Sequence, residues 1–481
     1  MMLIVILSVL IAVMLAIILS RSLNMMNYVT VFHSVFVALF PVYLLVKGVL
    51  PAVFHKSRYL VVDTLGAYEI LITGVIFFFA AIYAKGYVAC LIKEGELSKA
   101  NVKLFYLGYN SLLLAMVLAF SSNNLSVLWI FAEITTIVSA VLIVTLNAKE
   151  NIVAAMKYVF ITSTAMLFSF IGLILLFAAS KNGSGAATLN WDALLQASHQ
   201  IQPQLLFFSF VFIFIGFAAK SGIVPFHTWL PPSHSKAASD VSVLLSGSVL
   251  NIGIYAILRV YALVAKSSMG HEASMMVLVF GIITVGIASL SMLQKTNLKK
   301  LIAYSSVESM GFMLIGIAAG NIFWVLYFVA AHAMVKALLF FSAGIIHRQY
   351  GSMSMAEIKG VFRLQPLAAL GLIIGSVAII GTPLFPMFMP KFYIIASLAK
   401  ASLFSAIILL LFLLIAAGSF VWLILQLVTM QGAAPEPYEI YPSMKIPILA
   451  LILLLLVFGA YFPLPLSGIL AEMVSLLGLG G

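Results

Sequence analysis

Four lysines, Lys157, Lys220, Lys336 and Lys391, fall inside apolar runs long enough to cross a bilayer. A charge at bilayer depth costs about 3 kcal/mol even on lenient insertion scales, so each is a candidate for function. Lys220 stands out by its setting. It closes FAAK, and the next residues, SGIVPFHTWLPP, carry Gly222, Pro225, Pro231 and Pro232, which interrupt the helix beside it. Non-helical backbone at membrane depth persists only where protein or a watery cavity satisfies its freed N–H and C=O groups. Lys391 stands in a similar setting directly after Pro390 in GTPLFPMFMPK, with Gly381, Pro383 and Pro386 upstream.

Acids and imidazoles share these runs. Glu133, in LWIFAEITTIVSA, sits about eight residues into its helix, deep in hydrocarbon at a rise of ~1.5 Å per residue. It is either a buried structural carboxyl or the partner of Lys220, and an acid and a base in one dry site stabilise each other's charge. His332 and Lys336 are four apart in AAHAMVKALLFFSAG and share a helical face, which suits a proton relay. Glu308 follows Ser305 and Ser306 in AYSSVESMG, a short polar track that could equally serve helix–helix hydrogen bonding.

Weaker candidates surround these. His227 and His234 lie on the broken helix and the joint after it, as interfacial histidines or as members of a proton path. Asn251, in GSVLNIGIY, either bonds a neighbouring helix or holds water between two halves, since an amide does not itself exchange a proton. Glu69 reads as a shallow structural carboxyl, Trp229 as an interface anchor, and Arg259 and Lys47 as side chains that snorkel from helix ends.

The elements that must position these groups are membrane helices. Apolar residues make up 64% and charged residues 8% of 481, and mean hydropathy is +1.20. That excludes an ordinary soluble protein and predicts an all-α polytopic membrane protein. Apolar runs predict helices near 3–20, 28–50, 63–84, 104–121, 125–146, 152–178, 204–230, 239–264, 274–293, 299–318, 322–347, 366–399, 403–428 and 446–464, about 14 in all, with the seventh and twelfth discontinuous. The run 465–478 reads as a terminal tail or interfacial piece. Met1–Ser20 lacks a basic n-region and a cleavage site and reads as a retained helix.

Helices four to eight and nine to thirteen match in their polar residues. Glu133 and Glu308 are on the second helix of each block, Lys157 and Lys336 on the third, and Lys220 and Lys391 on the broken fourth. The chain therefore reads as one transmembrane domain, 1–481. Helices one to three occupy 1–103, a first five-helix repeat 104–264, a second 274–428, and a C-terminal helix and tail 446–481. An odd number of helices per repeat inverts consecutive copies, and paired broken helices in inverted repeats point to a transport site near the midplane.

The formal net charge of +11 comes from residues in short joints, not from a nucleic-acid surface. Joints after odd-numbered helices hold fourteen Lys and Arg against seven on the other side, Lys56 among the seven. This places the odd joints in the cytoplasm and both termini outside a cytoplasmic membrane. Cys90 is the sole cysteine, and no G-x-G-x-x-G or P-loop run occurs. No cofactor, metal, redox or hydrolytic site of its own is expected, so uphill ion movement would draw on a gradient or a partner subunit.

At KSGIVPFHTWLPPSHSKAASDVSVLLSGSVLNIGIY the chain resembles the antiporter-like proton-translocating subunits of respiratory complex I, Mrp antiporters and membrane-bound nickel–iron hydrogenases. LKKLIAYSSVESMGFMLIG, HAMVKALLFFSAG and WIFAEITTIVSA carry the likeness over roughly residues 60–430. Glu308 and Asn251 bring it nearer the hydrogenase-linked branch, since complex I subunits usually show a histidine and a lysine or histidine there. The resemblance implies that Glu133 and Lys220 form a charge pair, that Lys336 and His332 form the central relay, and that Lys391 is the outlet group. It implies a proton- or sodium-translocating subunit of a multisubunit redox-driven complex. Its partners would be other membrane subunits and the lipid bilayer. An Mrp-type sodium/proton antiporter subunit and a transport-free scaffold are the alternatives. Pro232, Lys236 and Asp240 depart from the usual WLPDAHTEAPTP of the family.

Overall fold

The computed structural model describes residues 2–54, 58–146, 148–184, 187–429 and 436–479; Lys56, counted above, lies outside them. Helices α1 (Met2–Leu19) and α2 (Leu23–Lys47) lead into a two-stranded hairpin, β1 (Ala52–Val53) and β2 (Val61–Val62). Then come α3 (Thr64–Lys93), α4 (Lys99–Phe120), α5 (Leu125–Val144), α6 (Lys149–Ser184), the short α7 (Trp191–Ala197) and α8 (Pro203–Lys220). Next are α9 (Leu230–Lys236), α10 (Ser239–Leu244), α11 (Leu250–Val264), α12 (Gly270–Leu293), α13 (Leu298–Ala318) and α14 (Ile322–Tyr350). The chain closes with α15 (Val361–Leu364), α16 (Pro366–Ile380), α17 (Phe388–Ala401), α18 (Leu403–Thr429), α19 (Pro442–Ala460) and α20 (Leu464–Leu477). Among the described residues, twelve helices are long and apolar enough to span a bilayer, and the chain is an integral multi-pass membrane protein.

Three of the helices that carry candidate residues start at side-chain caps. Asp63 accepts from the Gly66 N–H at 2.8 Å to open α3, Asn124 from Ser126 at 3.1 Å to open α5, and Asn297 from Lys300 at 3.1 Å to open α13. Each cap satisfies one of the N–H groups that a helix start leaves open. α10 and α11 join through a π turn, Leu245–Val249, into one helix buried on all sides. The molecule is built around it, with α8, α3, α13 and α14 as its packing neighbours.

Both interruptions foreseen in the sequence are present. α8 stops at Lys220, where Gly222 takes φ +68°, and α16 stops at Gly381 with φ +88°; both are left-handed backbone that a glycine adopts without penalty. Pro231 and Pro232, by contrast, break nothing. They occupy the first turn of α9, where a missing N–H has no intrahelical acceptor to lose.

The 465–478 run is α20, a helix packed on α3 and α14. Neither the hairpin nor α7 was legible in the apolar pattern, because both lie in joints.

Candidate functional site

Lys220 is fully buried, and its ammonium donates to the Ala132 carbonyl at 2.8 Å and to Thr136 Oγ1 at 2.6 Å. Ala132 and Thr136 are one turn apart on the face of α5 that the Lys220 side chain reaches. Glu133 lies ~100° further round and points to α6, where its Oε2 accepts from Ser163 Oγ at 3.0 Å. Its Oε1 is buried without a protein partner. Lys220 and Glu133 are thus electrostatic neighbours that make no direct ion pair. One step of helical phase separates them.

Lys336 on α14 uses the same chemistry on α13. It donates to the Ile302 carbonyl at 2.9 Å and to Ser305 Oγ, again one carbonyl and one hydroxyl a turn apart. One turn earlier, His332 is fully buried with neither ring nitrogen bonded to protein. The Phe328 ring stacks along it at 6.5 Å.

Lys391, in the first turn of α17, forms the ion pair that the spacing did not foretell. Its Nζ lies 3.3 Å from Glu308 Oε1 on α13 and donates to the Ile379 carbonyl at 2.9 Å. The carbonyls of Ile379 and Ile380 end α16, so the lysine of one half-helix caps the negative end of the other. The Phe312 ring lies 5.7 Å from the ammonium. Lys336, Glu308, Lys391 and His332 lie within electrostatic reach of one another.

His234 joins this group. It is fully buried, both nitrogens lack a protein partner, and its ring stacks at 5.0 Å on Phe340, one turn beyond Lys336. His227 is half-buried against Tyr304 at 6.2 Å. Asn251 is buried, donates to the Gly247 carbonyl at 3.3 Å, and leaves its Oδ1 unpartnered. Lys157 stands apart. It is exposed on the outer face of α6 beside the exposed Met156 and Phe160, where lipid or another subunit would lie.

Three sequence readings are corrected. Arg259 does not snorkel; it is buried in a bidentate pair with Asp63, at 2.6 and 2.7 Å, over the Trp191 ring at 4.3 Å. Trp229 anchors no interface, because its ring is buried on Tyr158 and its Nε1–H donates at 2.9 Å to the Ala219 carbonyl near the end of α8. Glu69 is not shallow but 2% exposed, enclosed by α3's neighbours.

Two groups were missed. Lys299 is buried with its Nζ 2.8 Å from the Ala237 carbonyl, and Asp240 is buried with Oδ1 on the Val241 N–H at 2.8 Å and Oδ2 without a partner. Both stand at predicted helix starts, which in sequence look like wet joints. Above them a cavity of about 420 Å³ is lined by Glu94, Glu96, Glu150, Lys236, Lys299 and His347, among others. Around it Lys236 pairs with Glu150, and Arg348 pairs with Glu94 and, at 2.9 Å, with Glu96. At the opposite end Arg58 pairs with Asp192 at 2.7 Å. The ion pairs therefore gather the odd-numbered joints at one end of the bundle and the even-numbered joints at the other. Among the described residues no three His, Cys, Asp or Glu side chains converge as metal ligands.

Taken together, the site is a set of desolvated bases: Lys220, Lys336 and Lys391, each resting on a carbonyl and a hydroxyl or carboxylate, and His332 and His234, whose ring nitrogens are unbonded to protein. Such groups can take and release protons and hold water.

Comparison with known proteins agrees with this architecture. Residues 122–418 match the family described as NADH:quinone oxidoreductase/Mrp antiporter, TM. The chain is 30% identical over 414 residues to a hydrogenase-4 component F homolog of Methylacidiphilum infernorum, covering 85% of this chain and 86% of that protein. It is 28% identical over 446 residues to NADH-quinone oxidoreductase subunit M of Rickettsia felis, covering 90% and 88%. Among solved structures, a chain of the membrane-bound sulfane sulfur reductase, an archaeal respiratory membrane complex, superimposes with a TM-score of 0.87 at 23% identity, over 98% of this chain and 95% of that one. A chain of the Mrp complex from Dietzia sp. does so with a TM-score of 0.82 at 19% identity, over 98% and 96%. With its broken helices, buried lysines and matched core of residues 122–418, this chain belongs to the NADH:quinone oxidoreductase/Mrp antiporter family of membrane subunits.

Proposed function

We propose that the chain translocates protons, or sodium ions, as a membrane subunit of a multisubunit redox-driven complex of the energy-converting hydrogenase type. The observation that carries this reading is the buried set Lys220, Lys336, His332 and Lys391–Glu308, in which Lys220 and Lys391 stand beside the two helix interruptions. Ionisable groups at membrane depth are retained where they serve an ion path. The two half-channels would be the inverted repeats 104–264 and 274–428, joined along Glu133, Lys220, Lys336 and Lys391, with water carrying protons between groups that do not touch. The likeness to a hydrogenase-4 component supports the redox-linked assembly over a free-standing antiporter.

The test is ion flux in proteoliposomes holding the purified complex. Redox-driven acidification or sodium uptake is expected, and Lys336→Ala should abolish it at normal complex abundance. Flux untouched by Lys336→Ala would make the chain a scaffold. Flux that needs sodium but no electron donor would make it an Mrp-type antiporter subunit.

A further inference from the structure

Of the four lysines set inside apolar runs, Lys157 alone is exposed, on the outer face of α6. Two contacts fix its depth. Tyr158 OH lies 3.1 Å from Ser139 Oγ, and Trp129 Nε1–H donates to the Met166 carbonyl at 3.0 Å, so α5 and α6 run antiparallel and Lys157 stands level with Ala140. α5 is the membrane span Leu125–Val144, and at a rise of ~1.5 Å per residue Ala140 lies one turn inside its end. A lone ammonium at that level is costly against lipid tails.

The surface around it has the make-up of a helix-packing face. Along α6, Val153, Lys157, Phe160, Thr164 and Leu167 are exposed at spacings of four and three and form one stripe. Ile130, Ile134 and Ile137 continue the exposed surface on α5. Between the two helices the small side chains of Ala140 and Ala155 line a groove of about 480 Å³, with Val141, Met156 and Phe160 among its walls. Small residues at a seam let another helix approach closely in lipid. Glu133 and Ser163, bonded to each other and half-buried, lie deeper in the same seam. The outer faces of α12 and α18 differ. Between Met275 and Leu293, and between Leu403 and Val428, no exposed residue is polar.

We infer that the α5–α6 face docks a transmembrane helix of a neighbouring subunit, with an Asp or Glu of that helix meeting Lys157. Charge complementarity sets the partner's chemistry. An ammonium enclosed at membrane depth needs an anion, and a carboxylate on the docking helix supplies one as the groove fills and lipid leaves. A single charged residue in an apolar stripe also fixes the register in which two helices pack. The exposed isoleucines of α5 and the valine and phenylalanine of α6 supply the van der Waals packing on which helix association in lipid depends. The docked helix would cover the seam that holds Glu133, the carboxylate nearest Lys220 in charge, and so complete the wall of the ion path there. That a neighbouring subunit exists rests on the multisubunit reading, whereas the contact itself needs no ion flux.

The experiment uses the purified complex containing the full chain, with the photo-cross-linking residue p-benzoylphenylalanine in place of Phe160 or, as a control on α18, of Leu411. On irradiation the probe at 160 should join one other membrane subunit, and the joined peptide should carry an Asp or Glu within two turns of the adduct. The probe at 411 should not reach that peptide. Lys157→Glu should cut recovery of the joined subunit with the complex at least tenfold while this chain keeps its own abundance. Exchanging the partner's acid for lysine in the same complex should restore recovery, and that paired exchange carries the test if Lys157→Glu alone does not accumulate. Adducts to lipid alone, to a second copy of this chain, or to a helix with no acid near the adduct would each overturn the docking. So would full recovery of the subunit with Lys157→Glu, or no restoration by the paired exchange. Cross-linking that survives alongside absent flux would overturn the translocation reading and leave this one standing.

Discussion

Lys391 and Glu308 meet at 3.3 Å across two helices, and the same ammonium closes the carbonyl end of the half-helix that precedes its own. The pair therefore holds a helix interruption together with the very group that could pass a proton through it. These two roles separate on substitution. Glu308→Gln alone leaves a buried ammonium short of its anion, which should destabilise by about 3–5 kcal/mol. Glu308→Gln combined with Lys391→Met removes both charges and should restore the unfolding midpoint and complex abundance while flux stays lost. A double variant that pumps would remove the pair from the ion path.

Lys391→Arg isolates the proton itself. Arginine's planar fork can still pair with Glu308, but it keeps its proton at any working pH, whereas a desolvated lysine can release one. The variant should assemble normally and lose translocation nearly as fully as Lys391→Ala. Wild-type pumping by Lys391→Arg would mark Lys391 as an electrostatic prop.

Glu133 acts on Lys220 through space, so Glu133→Gln should sharply reduce coupled transport with assembly largely intact. Thr136→Val, which removes the hydroxyl that Lys220 holds at 2.6 Å, should lower flux several-fold at normal abundance. The check is flux normalised to complex content in the same membranes. Full flux in both variants would leave Lys220 tied to α5 for structure alone.

Arg259 serves stability. Its bidentate pair with Asp63 is buried at the start of α3, and removing one partner strands the other charge. Arg259→Gln should destabilise by about 3–5 kcal/mol, read as a lower unfolding midpoint and reduced abundance. Arg259→Gln with Asp63→Asn should recover part of that loss. Full stability in the single variant would contradict the clamp.

Orientation rests on the basic asymmetry of the joints. Ser22→Cys and Ala356→Cys lie in exposed positions of odd-numbered joints, and the native Cys90 is buried and silent. In intact cells both new cysteines should resist an impermeant thiol reagent and react only after permeabilisation. Direct labelling of both would turn the chain over.

Composition and periodicity alone determined that this is a polytopic helical membrane protein, because a run of apolar residues has few other stable solutions in water or lipid. They also exposed the two interruptions and the buried lysines, since glycine, proline and charge are rare enough in such runs to be seen one residue at a time. The tertiary structure decided which group each lysine meets. Glu133 and Lys220 looked like a pair by depth, yet helical phase turns the carboxylate to Ser163 and leaves the lysine on Ala132 and Thr136. Glu308 and Lys391 are 83 positions apart and pair because α13 crosses the break between α16 and α17, a crossing that no local pattern encodes. Glu69, Asp240, Lys299 and Arg259 each stand near a predicted helix end, where sequence suggests contact with water, yet all four are buried by the packing of the rest of the chain. A sequence reports how far along its own helix a residue lies. Burial depends on what the other helices do at that level, and only their packing supplies it.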